Sequence, residues 1–244
     1  MRSLIVTLSI FTIAGVAQQP PSRCLGLPTA DNLKTYLRAS PGLADGIIGG
    51  PVGGLFNGTR MWAAVVNRDG EVCAVAASQD DPTQVWPGSQ AIAKAKAYTA
   101  NAFSINALAL STARLYTFTQ PGHSLWSLGQ SNLFQPGDLA APSDPTKSNG
   151  KIAGGLIFFG GGVPLYAGGR IVGGLGISGD TSCADHEIAK RVRHLGDLNP
   201  PGGALADDIT YISIDGASAF SHPKCLNTWR NGSRVGEELP AQGY

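Results

Sequence analysis

Nine glycines fall within the twenty residues 160–179, GGGVPLYAGGRIVGGLGISG, inside sequence that otherwise forms strands. Val163-Pro164-Leu165-Tyr166 and the run Arg170 to Ile177 read as two strands joined through Ala167-Gly168-Gly169. Glycine weakens a strand, since it has no side chain to pack and the most backbone freedom to lose. Within a strand it therefore marks a bulge or the close approach of another backbone. Gly160, Gly161 and Gly162 read as a tight corner, and Gly173, Gly174 and Gly176 as a bare strand face. A helix, a partner subunit or a flat ligand can approach such a face, and any fold has to supply that neighbour.

The same stretch contains Gly174-Leu175-Gly176-Ile177-Ser178-Gly179, a literal G-x-G-x-x-G. A dinucleotide site needs that string at the end of a strand, followed by a helix and a second parallel strand ending near an acidic residue. Asp197 lies at a suitable distance, but Arg191 to Gly196 before it is not strand-like and Leu198 to Gly203 after it is a loop. The first two glycines also sit within the strand. The nucleotide reading is rejected.

Around this block the chain reads as α+β. Asp31 to Leu37 reads as a short helix with Asp31 as N-cap, and Met61 to Val66 and Glu71 to Ala77 as a hairpin turning at Asn67-Arg68-Asp69-Gly70. Ser89 caps the clearest helix, AIAKAKAYTANAF, with Lys94 and Tyr98 off its apolar face, and a second helical stretch runs from Asn106 to Tyr116. Gln120 to Gly150 is long, irregular and punctuated by prolines, which suits a lid or an oligomer contact. Gly155 to Phe159 reads as a buried strand, Cys183 to Leu195 as a helix capped by Thr181 or Ser182 and stopped at Gly196, and Ile209 to Ile214 as a last strand. The expected architecture is an antiparallel β-sheet flanked by helices.

Met1-Arg2-Ser3, the apolar Leu4 to Ile13 and the small residues Ala14 to Ala17 have the pattern of a secretory signal peptide, here 1–17. The apolar run is shorter than the roughly 20 residues that span a bilayer, so no stable membrane insertion is expected. The expected location is secreted or periplasmic. Net charge is +1 with few charged residues, which gives no basis for a nucleic-acid partner. The basic run Lys190-Arg191-Val192-Arg193 reads as a solvated helix face, and the pairs Asp80-Asp81 and Asp207-Asp208 as solvated turns.

Four cysteines in an exported chain favour disulfides. Three connectivities are possible. Sequence order favours Cys24–Cys73 and Cys183–Cys225, which would tie an N-terminal extension (18–58) and a C-terminal tail (216–244) onto a core of 59–215. With no C-x-x-C and no zinc-finger histidine spacing, no direct metal site is expected. His186-Glu187-Ile188-Ala189-Lys190 lacks the second histidine of a zinc protease, and no G-x-S-x-G elbow is present.

Two segments carry a family resemblance. Ser89, Ile92, Ala93, Lys96, Ala97, Thr99, Ala100 and Phe103 resemble the S-x-x-I-A-x-x-K-A-x-T-A-x-x-F helix of the GlcG/HbpS-like haem-binding proteins. Phe159-Gly160-Gly161-Gly162-Val163-Pro164-Leu165, then Val172 to Gly179, Asp185 and Ala189, are similar to that family's glycine-rich signature. The resemblance spans about residues 60–195 and implies an α+β domain, assembly as a homo-oligomer, and haem or a similar planar small-molecule ligand. Haem needs an apolar slot and an axial donor. Candidates are His123, His186, His194 and His222, with Tyr98, Tyr116 and Tyr166 behind them, and His186 is the first choice because it opens a helix beside the glycine strand. The ligand site is expected at His186, Lys96, Gly160, Gly161, Gly162, Pro164, Gly176 and Ser178. The alternative is an enzyme using the same pocket, with Asp185 or His186 as acid or base and Lys96 polarising an oxyanion.

Overall fold

The computed structural model describes residues 22–239, so the expected leader lies outside the described residues. Four strands, β1 (Trp62–Asn67), β2 (Val72–Ala77), β3 (Gly162–Ala167) and β4 (Arg170–Ser178), form one antiparallel sheet in the order β2-β1-β4-β3. Three longer helices cover it: α1 (Ala30–Ala39), α2 (Ser89–Ala102) and α4 (Ser182–Leu195). Short helices α3 (Leu128–Ser131) and α5 (Ile212–Asp215) and a hairpin of β5 (Thr228–Arg230) and β6 (Ser233–Gly236) complete the fold. The α+β expectation holds. No helix among the described residues is long and apolar enough to cross a membrane.

Period-two alternation in β1 places the layers. Trp62, Ala64 and Val66 join Ala93 and Ala97 of α2 in one core, while Ala63 and Val65 join Leu33 and Leu37 of α1 and Ile188 and Val192 of α4 in the other. The sheet is thus buried on both faces, and all six positions of β1 and of β2 are buried. The bare face of β4 receives α2. A methyl group at Gly174 or Gly176 would fall onto the carbonyl oxygens of Ala97 or Ala93. Of the three neighbours that the glycines allow, a helix of the same chain occupies the face. Pro164 has no N–H to donate, and β3, where it sits, is an edge strand.

Both expected disulfides form, Cys24–Cys73 and Cys183–Cys225, with Cα separations of 5.6 and 6.0 Å. Several local expectations fail for identifiable reasons. Asn106 to Tyr116 is not an α-helix: only Thr112–Leu115 forms a 3₁₀ turn. Its hydroxyls bond elsewhere, Ser111 to Asp207 O and Thr112 to Phe159 O, and the Ser104 hydroxyl takes Leu110 N–H. Such side-chain bonds compete with helix formation. Gly155 to Phe159 is not a strand, since Gly154 and Gly155 have φ of +64° and +78° and Ile157 N–H bonds the Thr99 hydroxyl. Ile209 to Ile214 turns into α5, with Tyr211 N–H held by Asp215. The α1 cap is Thr29, whose hydroxyl forms a capping box with Asn32, and Ser89 is the first residue of α2 behind Gly88.

Lys94 is also buried rather than off the packed surface; its ammonium bonds Gln90 Oε1 at 2.8 Å, and Gln90 in turn reaches Ala141 O of the 120–150 segment. Burial pushes Lys94 down to about 8. Between that value and 10.5 the unfolded chain holds the proton that the folded chain has released, so this group makes stability rise with pH across that window. Denaturation midpoints from pH 8 to 10.5 should show the rise in the wild type, and Lys94→Gln should lessen it. Parallel profiles would mean that Lys94 keeps its proton in the fold.

Candidate functional site

The sequence-marked residues converge where the glycine corner meets the start of α4. Gly161 O accepts Ile177 N–H of β4, Gly162 N–H is held by Thr112 Oγ1, and Gly160 N–H donates to His222 Nε2 at 3.2 Å. Behind the corner, Lys96 Nζ bonds Asp185 Oδ2 at 2.7 Å and Ile177 O at 3.0 Å, and lies 4.9 Å from the Phe159 ring centroid. Asp185 Oδ1 accepts Asp180 N–H. Burial lowers Lys96 and raises Asp185 to about 6, in both cases against the attraction of the partner. Lys96, Asp185, His186, Gly160, Gly161, Gly162, Pro164, Gly176 and Ser178 are all buried. The Lys96–Asp185 pair braces the corner and has its hydrogen bonds inside the protein.

His186 is fully buried. Neither ring nitrogen has a hydrogen-bond partner among the described residues, and Nε2 is 3.4 Å from Asp208 Oδ1. It borders a charge network where a solvated helix face and solvated turns were expected. Lys190 Nζ lies 2.7 Å from both Glu187 Oε1 and Asp208 Oδ1 and donates to Asn231 Oδ1. Asn231 closes the ring by donating to Asp208 and to Glu187. Burial opposes charge on Asp208, yet Lys190 and His186 hold its carboxyl far below the usual range. Arg191 reaches Ser40 O, and Arg193 makes two hydrogen bonds to Asp207 at 2.9 and 2.7 Å. α4 therefore faces the tail and α1 rather than solvent, and each charge is buried with an opposite one, as burial requires.

The open space lies next door. A cavity of about 470 Å³ is lined by Tyr116, Tyr211, His222, Pro223, Lys224 and Leu239, among others. That volume falls in the range of about 300–1,000 Å³ typical of small-molecule sites. His222 joins the cavity to the glycine corner. Its Nδ1 lies 2.7 Å from Pro223 O, as an N–H donor would, and its ring tilts against Tyr116 at 5.0 Å between centroids. Burial pushes His222 down to about 4, which makes it a neutral imidazole at pH 7. Tyr211 is buried beside Glu187 and Asp208, its hydroxyl without a partner among the described residues. The other sequence candidates are elsewhere: His123 is exposed, His194 is partly exposed and bonded to Asn199, and Tyr166 donates to Ile105 O. His222 and Tyr116 were legible only as members of a pool and Tyr211 was missed, because the wall joins segments far apart in sequence, around Tyr116, around Tyr211 and in the tail at His222.

Comparison with known proteins adds the family. The model of the family described as "Haem degrading protein HbpS-like" matches residues 55–193. The chain belongs to the HbpS-like family. Similar solved structures include Klebsiella pneumoniae ORFY of the DUF336 family, at 22% identity over 57% of this chain and 76% of that one, with a TM-score of 0.42. A PduOC–haem complex matches at 20% identity over 70% and 94%, TM-score 0.45, and a doubly substituted Streptomyces reticuli HbpS at 19% over 78% and 98%, TM-score 0.40. No curated protein matches the chain. Most of the cavity wall, from Tyr211 to Leu239, lies beyond the HbpS-like match.

Proposed function

We propose that this HbpS-like protein binds haem or a related planar small molecule in the cavity between its tail and the Tyr116–Thr117 segment. The observation that carries the reading is His222: a neutral imidazole in the wall of a mostly apolar cavity, bonded to the family's glycine corner through Gly160 N–H. Tyr116, Tyr211 and His222 supply flat aromatic surface, and imidazole is an established haem-iron ligand; Nε2 would take that role by giving up its bond from Gly160 N–H. Bound haem would supply redox or oxygen chemistry at its iron. The protein's own part is to hold and orient the ring and to exclude water. Gly160, Gly161, Gly162, Lys96 and Asp185 position His222 from behind, and Lys190 and Asn231 fix Asp208 beside His186.

The reading includes export, supported by the leader pattern and two disulfides, and a homo-oligomer, supported by the exposed Trp126, Leu133 and Ile152 on or beside the 120–150 segment. Titration with haemin tests it. The expected result is a shifted Soret band that saturates at one haemin per chain and weakens at least tenfold, about 1.4 kcal/mol, in His222→Ala. An unchanged haemin spectrum would overturn the reading. A shift lost in His186→Ala but kept in His222→Ala would move the site to the start of α4.

A further inference from the structure

The two disulfides have different surroundings. Cys24–Cys73 joins α1's lead-in to β2 and has no third metal-binding side chain near it among the described residues. Cys183–Cys225 has one: the Sγ atoms and an imidazole nitrogen of His222 all lie within 4.8 Å of one another, and all three residues are buried. In sequence, His222-Pro223-Lys224-Cys225 separates two soft donors by two residues. Short loops offer paired ligands to tetrahedral zinc at this spacing.

The atoms around Cys225 also suit a thiolate. Cys183 N–H donates to Cys225 Sγ at 3.2 Å, and Ser182 Oγ lies 3.4 Å from the same sulfur. Both come from the first turn of the 14-residue helix α4, whose free N–H groups favour negative charge. Donors of this kind fix and stabilise a metal-bound thiolate.

We propose that Cys183, Cys225 and His222 form a redox-gated site for a thiophilic divalent cation such as zinc. A dithiol reduces the disulfide: its two sulfhydryls pass two electrons and two protons to Cys183 and Cys225 and leave as a disulfide. The cation then displaces two protons to solvent and takes two thiolates and the imidazole, with a fourth position left to water or another ligand. The oxidised chain carries the same cross-link as a covalent bond. In either state the tail stays pinned to α4. The site shares His222 with the proposed haem cavity, so the two groups would compete for that imidazole, while the cobalt test reads the thiolates without haem.

The test uses the full chain, reduced with dithiothreitol, desalted under nitrogen and titrated with Co²⁺ and then Zn²⁺. One Co²⁺ per chain is expected, with near-ultraviolet thiolate-to-cobalt charge-transfer absorption that Zn²⁺ abolishes, and none in the oxidised protein. Cys24→Ser/Cys73→Ser should keep the band and Cys183→Ser/Cys225→Ser should lose it. His222→Ala keeps both thiols and should weaken binding by more than the roughly 10–100-fold that loss of an outer-shell partner costs. No band in the reduced wild type, whatever the state of its tail, overturns the proposal. So does a band that survives in Cys183→Ser/Cys225→Ser, or equal affinity in His222→Ala.

Discussion

Asp207→Ala is expected to destabilise the protein by about 3–5 kcal/mol, the usual loss when one partner of a buried ion pair is removed. Arg193 and Asp207 are at most 1% exposed, and two hydrogen bonds join them. The guanidinium also donates to Pro164 O and Ala204 O, so it links α4, β3 and the loop before α5. Removing the carboxylate leaves that cation in place without its counter-charge, and the cost is the desolvation of an unpaired ion. Urea denaturation should show a lowered midpoint with an unchanged slope. Arg193→Met/Asp207→Leu removes both charges and should recover much of the loss, since an apolar pair of similar volume is often no worse than an ion pair. A drop below about 1 kcal/mol in Asp207→Ala would mean that water reaches Arg193 once the carboxylate is gone.

This pair also marks where the sequence stopped being legible. The hairpin, α2, β3, β4, α4 and both disulfides could be read because each carries a local signal: alternation, helical spacing, a turn glycine, or cysteine order in a chain expected to be exported. The solvent face assigned to Lys190, Arg191 and Arg193 rested on the rule that charged residues stay in water. That rule yields when another segment brings an opposite charge for each, as Asp207 and Asp208 do for Arg193 and Lys190. Nothing within α4 announces that the tail will cover it. The candidate site divides in the same way. The glycine corner, Lys96 and Asp185 stood out as a pattern and do meet in space, while the cavity beside them is walled by Tyr211, His222 and Leu239. Only tertiary closure brings that wall together, and Cys183–Cys225 was its one visible trace in the sequence.

Gly176→Ala is the second large effect expected, and it turns on the question that the glycine strand raised. Gly176 pairs with Ala64 on β1 and Gly162 on β3, so the strand cannot slide away from either neighbour. The added methyl would fall onto Ala93 O and within 2.5 Å of Ala97 N, both backbone atoms of α2. A rotamer change cannot relieve a clash between backbones, so α2 has to lift from the sheet. α2 also carries Lys96, whose bonds to Asp185 and Ile177 O brace the corner behind His222. The cost should exceed the roughly 1–3 kcal/mol of ordinary overpacking. Gly168→Ala is the contrast: φ is +55° and nothing lies within 4 Å, so only backbone strain opposes it, at about 1 kcal/mol. If the two variants unfold at similar urea concentrations, the glycines of β4 are there for conformation. A much larger loss in Gly176→Ala, together with weaker haemin binding in whatever fraction folds, would tie the bare strand face to the seating of α2 and through it to the cavity wall.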